Sequence, residues 1–308
     1  MGKIGRFIAN VNKYKHDYGF SLSLGLTFDS YLKRDASYAS RVTRYLEDRH
    51  ADLWKNFSDQ YKACPPKTSA RKTIWVLWWN GEDTMPEIAK RCRRSLHQYH
   101  GDYEVVSLSK YNIKEYLDIP AYILEKVQDG RISLPHMADF VRVALLRTYG
   151  GIWLDSTVLL TDYVPNEYMD YKFLSRRIAP SSSFSMARGR WSGYYMVANE
   201  AHSFLFELLY AFYLQYWKEH DLIITYLLLD YLLDIAYRHY PEVKKMIDAV
   251  PLNNTKMKEL QERLNDDYDE ALWQTICQDT IFHKLTYKKE ITNANSFYKV
   301  IIGEENRE

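Results

Sequence analysis

A carboxylate and a hydroxyl group stand two residues apart where a short apolar run ends. Asp155 and Thr157 follow Ile152-Trp153-Leu154, which predicts a buried strand. Because alternate residues of an extended chain face the same side, both side chains point the same way. Such oxygen ligands suit Mg²⁺ or Mn²⁺, hard ions that bridge diphosphates. A turn-initiating Asp after a strand is also common, so the pair has an ordinary structural interpretation as well.

A second polar pair precedes this strand. Asp139 and Arg142 are three residues apart on one face of a predicted, otherwise apolar helix. They form either a surface ion pair or a pair of ligands, in which Asp139 accepts from hydroxyl groups and Arg142 donates to hydroxyl or phosphate oxygens. Their position just before the strand of Asp155 favours ligands, since partly buried charges need partners.

An aromatic side chain could supply a third contact. Trp78 lies near the end of the apolar run Thr73–Trp79, which predicts a buried parallel strand. Its ring either stacks on a nucleobase or packs in the core, and spacing does not separate the two interpretations.

The elements that must position these residues alternate between strand and helix. A strand from residue 73, a helix from Pro86 and a second strand predict a β-α-β unit and therefore a parallel sheet. The helix of Asp139 ends at Gly150-Gly151, and the next strand follows at once. Because ligands of open α/β sheets bind beyond the carboxyl ends of strands, Asp155 stands at the expected edge.

The flanking regions are predicted to be largely helical. We expect an N-terminal helical region at residues 1–70 and an α/β domain with a helical C-terminal part at 71–308. Later strands are expected at 158–160, 172–174 and 194–197, and later helices at 201–217, 221–238, 254–264 and 269–277. The polar loop Pro180–Arg190 is interpreted as a mobile lid.

The composition gives no overall positive electrostatic field that would attract nucleic acid. The 308 residues are 46% hydrophobic and 26% charged, as in ordinary globular proteins, with a formal net charge of +1. Nucleic acid is therefore not an expected partner, and an anion site must be local. The widely spaced Cys64, Cys92 and Cys277 favour a reducing cytoplasm over a disulfide framework.

Membrane contact is expected only at the surface. No apolar run is long enough to span a bilayer. Lys3, Arg6, Lys13 and Lys15 interleave with apolar residues, so the first helix either lies on an anionic membrane or packs as an ordinary helix. We expect a cytoplasmic protein. If the first helix lies on an anionic membrane, the protein is expected to be peripheral at the inner face of the cell membrane.

The ordered motifs resemble the capsular polysaccharide synthesis protein family, which is related to family-32 glycosyltransferases with an Asp-X-Asp sugar-binding motif. The motifs are Ile74-Trp75-Val76-Leu77-Trp78-Trp79-Asn80-Gly81, Asp139-Phe140-Val141-Arg142, Leu145-Leu146 and Tyr149-Gly150-Gly151-Ile152-Trp153-Leu154-Asp155-Ser156-Thr157. The resemblance covers residues 73–163. Residues 1–70 contribute nothing to it, and the C-terminal third matches loosely.

The resemblance implies a Rossmann-like GT-A fold with a mostly parallel sheet. It also implies a nucleotide-diphosphate sugar as donor, with a UDP-sugar as the first candidate, and transfer with retention of anomeric configuration. Trp78 would stack on the base, Asp139 and Arg142 would hold the donor sugar, and Asp155 would be the first acid of the motif. Thr157 stands where the wider superfamily has the second acid, which puts dependence on Mn²⁺ or Mg²⁺ in question.

Later residues complete the expected site. His283 is expected to join Asp155 and Thr157 at the metal, and Lys284 to neutralise the departing diphosphate. Two further residues are candidate catalytic residues beside Asp155. Asn199 lies in a segment similar to one near the reacting sugar in such enzymes, and Asp230 is a polar residue in a leucine-rich helix.

The leading interpretation is a transferase that adds a sugar to an oligosaccharide or lipid-linked acceptor in bacterial capsule or surface-polysaccharide assembly. One alternative is a toxin-like transferase that modifies protein side chains. The other is a non-catalytic glycan-binding scaffold, which would bind nucleotide or glycan without releasing nucleotide diphosphate.

Overall fold

The computed structural model describes residues 2–180 and 184–303. Ser181-Ser182-Ser183 of the predicted lid loop lie outside the described residues. Helices α1 to α13 span Lys3–Tyr18, Phe20–Tyr31, Asp35–Arg49, Ala51–Gln60, Glu87–Tyr99, Ala121–Gln128, Leu134–Tyr149, Phe204–Glu219, Leu228–His239, Pro241–Asp248, Glu259–Arg263, Glu270–Cys277 and Phe297–Gly303. Strands β1 to β9 span Thr68–Ser69, Thr73–Leu77, Glu104–Leu108, Gly151–Leu154, Val158–Leu160, Leu174–Ser175, Tyr195–Ala198, Glu200–Ala201 and Phe282–Lys284.

A five-stranded sheet in the order β3-β2-β4-β7-β6 forms the centre of the α/β fold. Strand β2 pairs in parallel with β3 and β4, whereas β7 runs antiparallel to both β4 and β6. The sheet is therefore mixed, and the prediction of a mostly parallel sheet is not confirmed. Between β4 and β7 the described residues, 155–180 and 184–194, form no α-helix, and parallel neighbours need a long crossover connection of that kind.

The parallel strands bring two predicted site residues to one edge. Every residue of β2 and β4 is buried, which explains their continuous apolar runs. Because the two strands are parallel, Trp78 after β2 and Asp155 after β4 emerge at the same edge of the sheet. The site forms there.

The N-terminal helices share the main hydrophobic core with later helices. The hydroxyl oxygens of Tyr18 in α1 and Tyr216 in α8 are 2.6 Å apart. The rings of Trp54 in α4 and Phe212 in α8 pack with centroids 5.3 Å apart. Buried residues of both regions belong to one cluster. Residues 1–70 are thus mostly helical, but they do not enclose a core of their own.

Helix α9 begins seven residues later than predicted, at Leu228 rather than at residue 221. The intervening segment is fixed in an irregular turn by Asp17 of α1, whose Oδ2 accepts from the backbone nitrogens of Asp221 and Leu222. A contact so distant in sequence leaves no local signal. Among the described helices, none is both long and apolar enough to cross a membrane.

Candidate functional site

Asp155 is held at the end of β4 by three donors. Its Oδ1 accepts from Trp153 Nε1 at 3.0 Å and from Arg142 Nη2 at 3.1 Å, and its Oδ2 accepts from Lys284 Nζ at 2.7 Å. Burial disfavours the carboxylate, but Lys284 and Arg142 outweigh burial and hold the pKa of Asp155 well below its usual range. Asp155 is therefore an ionised and well-positioned acceptor at neutral pH.

Lys284 reaches this position from a distant strand. Strand β9 pairs antiparallel with β5, so Lys284 lies opposite Val158, just beyond the turn that follows Asp155. Its Nζ also donates to Thr157 Oγ1 at 2.7 Å. One ammonium group thus bridges the carboxylate and the hydroxyl that follow β4. The structure brings these three predicted residues together.

Asp139 and Arg142 face the same cleft from α7. Arg142 Nη1 donates to Asp139 Oδ1 at 2.6 Å, and the Arg142 side chain is only 5% exposed. Burial raises the pKa of Asp139 to about 6. The positive charge of Arg142 opposes this rise, whereas the negative charges of Asp155 and Asp230 add to it. The pair is therefore part of a buried charge network rather than a surface ion pair.

Asp230 and Trp78 line the same cleft. Trp191 Nε1 donates to Asp230 Oδ1 at 3.0 Å, and burial raises the pKa of Asp230. The Trp78 indole nitrogen donates to Thr84 Oγ1 at 2.8 Å, and its ring lies edge-on to Tyr287 with centroids 5.8 Å apart. Trp78 is thus a cleft residue with a fixed ring, not a core residue.

The cleft is large and rich in cations. Its volume is about 960 Å³, near the upper end of the roughly 300–1,000 Å³ typical of small-molecule sites. The charged residues that line it are Arg142, Arg176, Arg188, Lys258, Lys284, Lys288, Asp139, Asp155 and Asp230. Six cations face three carboxylates in a chain whose net charge is only +1, so the cleft favours an anionic ligand.

Arg176, Lys258 and Trp191 also line the cleft, although no sequence pattern marks them. Lys258 makes no ion pair with the residues that the structure describes. Partial burial lowers the pKa of the Lys258 ammonium group, and the nearby positive charges of Arg176 and Lys284 lower it further. Isolated basic residues in loops show no periodicity, so only the fold reveals that they converge.

Asn199 lies away from the cleft. It follows β7, whose last residue Ala198 pairs with Gly151 at the beginning of β4. Its own carbonyl accepts from the backbone nitrogen of Ala70. Asp155 marks the opposite end of β4, so the hypothesis of a catalytic role for Asn199 is not supported by its position.

His283 lies next to Lys284 in sequence but faces the other side of β9, because alternate strand residues point in opposite directions. Its Nε2 lies 3.0 Å from Thr161 Oγ1, and burial lowers its pKa to about 4. His283 does not line the cleft. The structure therefore does not bring it to Asp155 as predicted.

The residues around Asp155 do not fit a divalent cation in this arrangement. Both carboxylate oxygens already accept from cationic groups, and Thr157 offers one neutral oxygen, which Lys284 occupies. Mg²⁺ and related ions need several available oxygen ligands. The predicted Mn²⁺ or Mg²⁺ set of Asp155, Thr157 and His283 is not assembled.

Curated relatives with similar sequences are named as glycosyltransferases. The O-glycosyltransferase braB of Annulohypoxylon truncatum is 30% identical over 102 residues, which cover 30% of this chain and 24% of that protein. The O-glycosyltransferase PaGT of Phomopsis amygdali is 31% identical over 102 residues, 30% of this chain and 25% of that protein. The similarity thus spans about a quarter of the length of these fungal relatives.

A solved structure gives a weaker likeness. The PaToxG glycosyltransferase aligns with 77% of this chain and 94% of its own, at 13% identity and a TM-score of 0.35. A likeness at that level does not establish a shared fold.

The family model described as capsular polysaccharide synthesis protein matches residues 27–301. The match extends well beyond residues 73–163 and includes part of the N-terminal helical region, contrary to the expectation that residues 1–70 contribute nothing. Because it covers most of the 308 residues, the chain belongs to the capsular polysaccharide synthesis protein family and is related to glycosyltransferases.

Proposed function

We propose that this chain is a glycosyltransferase that uses a nucleotide-diphosphate sugar, with a UDP-sugar as the expected donor. The observation that carries the proposal is the cation-rich cleft at the carboxyl ends of β2 and β4, where Trp78, Asp155 and Lys284 line one space. An aromatic ring, groups that bind hydroxyls and several cations match the base, sugar and diphosphate of such a donor. The family and the named relatives favour the same chemistry.

Each part of the donor has a proposed contact. Trp78 stacks on the base, Asp139 and Arg142 bind the sugar hydroxyls, and Lys284 and Lys258 bind the diphosphate. During transfer the bond between the anomeric carbon and the diphosphate oxygen breaks, and the acceptor oxygen forms the new bond as its proton passes to Asp230. The departing diphosphate gains negative charge, which Lys284 stabilises while Asp155 keeps its ammonium group in place.

Exposed apolar side chains at the cleft support an amphiphilic acceptor. They are Leu134, Phe184, Tyr226, Leu227 and Tyr287. An acceptor with an apolar part can rest on this rim while a hydroxyl group enters the cleft, where Asp230 is proposed to accept a hydrogen bond from it. We therefore propose a lipid-linked or oligosaccharide acceptor.

Retention of configuration and a role in capsular or surface-polysaccharide assembly are proposed from the family resemblance alone. Both have direct tests. The anomeric configuration of the product can be read by NMR from the coupling of its anomeric proton. Turnover of lipid-linked against free oligosaccharides would identify the acceptor.

Donor binding and turnover test the proposal. The protein is mixed with UDP-, GDP- and TDP-sugars, and at least one should raise the melting temperature. Asp155→Asn should lower kcat by about 10²–10³-fold, because Lys284 and Arg142 lose the charge that positions them. The exposed Asp162→Asn is the matched control and should turn over normally. Circular dichroism would confirm that both variants are folded.

Several results would count against this assignment. Stabilisation by none of the nucleotide sugars contradicts donor binding, and normal turnover by Asp155→Asn contradicts the role of Asp155. Nucleotide binding without release of nucleotide diphosphate would instead support a non-catalytic scaffold.

A further inference from the structure

Helices α1 and α2 form a hairpin that exposes many large apolar side chains. They pack against each other, joined by Gly19, and the rings of Phe7 and Tyr31 meet with centroids 6.0 Å apart. Of the sixteen large hydrophobic side chains that are exposed in the described part of the chain, seven lie on this hairpin: Ile4, Ile8, Phe20, Leu24, Phe28, Tyr31 and Leu32. So high a concentration in so short a segment marks an interaction surface.

The outer face of α2 carries no charge. Phe20, Leu24 and Phe28 recur every four residues, so they form one stripe, and they are 63%, 39% and 44% exposed. The only charged residue of α2, Asp29, is buried and forms an ion pair with Arg41 of α3 at 2.6 Å. A solvent-facing helix ordinarily places charged residues at such positions.

The flanks of the hairpin are strongly basic. Lys3, Arg6, Lys13 and Lys15 on α1 and Lys33 and Arg34 just after α2 are all exposed. None of them forms an ion pair with a residue in the described ranges. The acidic residues of this segment face inward: Asp17 accepts from backbone nitrogens of the loop before α9, and Asp29 pairs with Arg41. The surface therefore combines exposed apolar side chains with unneutralised positive charge.

We propose that the α1–α2 hairpin binds the surface of an anionic membrane. The apolar stripe enters the boundary between headgroups and acyl chains, and the flanking cations contact lipid phosphates. The positive charge of the hairpin favours an anionic membrane over a second copy of the chain, because two copies would bring their positive charges together. The inference does not depend on the proposed transferase function, although membrane binding would bring the cleft close to lipid-linked acceptors.

Vesicle co-sedimentation tests the proposal with the whole chain and no nucleotide. The protein is mixed with phosphatidylcholine vesicles that either contain or lack phosphatidylglycerol. We expect binding to the anionic vesicles and at least about tenfold weaker partitioning of the double variant Phe20→Ser, Phe28→Ser, since two inserted rings are lost. Lys13→Glu with Lys15→Glu should weaken binding to anionic vesicles and leave the weak binding to neutral vesicles unchanged.

The matched control replaces two other exposed apolar residues, Tyr163→Ser with Leu252→Ser, each 61% exposed before substitution. This variant should bind vesicles as the parent does. Absence of parent binding to anionic vesicles, or equal binding by the Phe20 and Phe28 variant, overturns the proposal. A concentration-dependent dimer that this variant abolishes, without vesicle binding by the parent, would assign the surface to self-association. Because no sugar transfer is measured, failure here leaves the proposed function unaffected.

Discussion

At the scale of single residues, the site is defined by how the charge of Asp155 is balanced. Arg142 and Lys284 each contact one of its carboxylate oxygens, at 3.1 and 2.7 Å. A divalent cation would have to displace groups that are covalently attached to the fold. In the proposed transfer, the ammonium group of Lys284 supplies the positive charge that a departing diphosphate needs.

This arrangement predicts that Lys284, not a metal ion, supports turnover. Lys284→Met keeps the length of the side chain and removes the charge, so kcat should fall by about 10²–10³-fold. Lys284→Arg should retain part of the activity because it keeps a cation within reach. Parent kcat should be the same after treatment with EDTA and after addition of Mn²⁺. Loss of parent activity in EDTA with recovery in Mn²⁺ would contradict the prediction.

Some residues of the site could be predicted from the sequence, and others could not. Asp139, Arg142 and Asp155 were predictable because they belong to adjacent elements of known spacing. His283 and Lys284 differ only in which face of β9 they occupy, and a register shift of one residue exchanges the faces. That register is set by pairing with β5, more than a hundred residues earlier, so local pattern could not choose between them.

At the scale of elements, the link between α7 and β4 is the most constrained part of the chain. Gly151 has φ of 93°, and a Cβ atom there would lie 2.5 Å from the Thr73 carbonyl oxygen of β2. Gly150 has φ of 64°, with its Cβ position 2.4 Å from Ala70 Cβ. Two consecutive glycines allow α7 to end and β4 to begin against β2 without a spacer, which places Arg142 beside Asp155.

Gly151→Ala should therefore destabilise the protein strongly. Both the positive φ and the contact with backbone oppose the added methyl group, so the free energy of unfolding should fall by about 3 kcal/mol. Gly130→Ala is the matched control: its φ is 81°, but nothing lies within 4 Å of the added atom. This substitution should lower the free energy of unfolding by only about 1 kcal/mol, because a residue with a Cβ atom is strained at a positive φ. Urea denaturation measures both, and equal losses would refute the steric argument.

Elements with strong local signals were predicted well, and short strands were not. Helices α5 and α7 and strands β2 and β4 lie within two residues of their expected bounds, since apolar periodicity and glycine or proline boundaries define them. Strands β6 and β8 have two residues each, too few to show a period. Whether β7 runs parallel or antiparallel to β4 depends on the path of the intervening loop, which sequence pattern does not encode.

At the scale of the whole molecule, the N-terminal helices are part of the same packed unit as the site. His50, between α3 and α4, is 1% exposed, and its ring lies 4.5 Å from that of Phe212 in α8, measured between centroids. The family match from residue 27 agrees with this shared core. The stability of the whole chain should therefore depend on contacts made by residues that sequence motifs did not mark.

Buried histidines at this junction predict a loss of stability in acid. Burial lowers the pKa of His50 to about 4 and also lowers that of His220, which faces it from the end of α8. Glu219 partly offsets this effect at His50, whereas Arg49 adds to it. Between pH 4 and the unfolded value of about 6.5, the unfolded chain binds more protons than the folded chain. The stabilisation is complete above that range and is lost as pH falls through it, by at most about 3 kcal/mol for His50.

Urea denaturation at pH 7.5 and at pH 5 measures this loss directly. His50→Phe removes the titrating group and keeps an aromatic ring against Phe212, so its free energy of unfolding should fall less between the two pH values than that of the parent. His16→Gln, whose side chain is 93% exposed, is the control and should show the parent's pH dependence. Since acidic residues contribute equally in all three proteins, only the difference between them reports on His50. An identical decrease in His50→Phe and parent would show that the pKa of His50 does not change on unfolding, which would contradict the prediction.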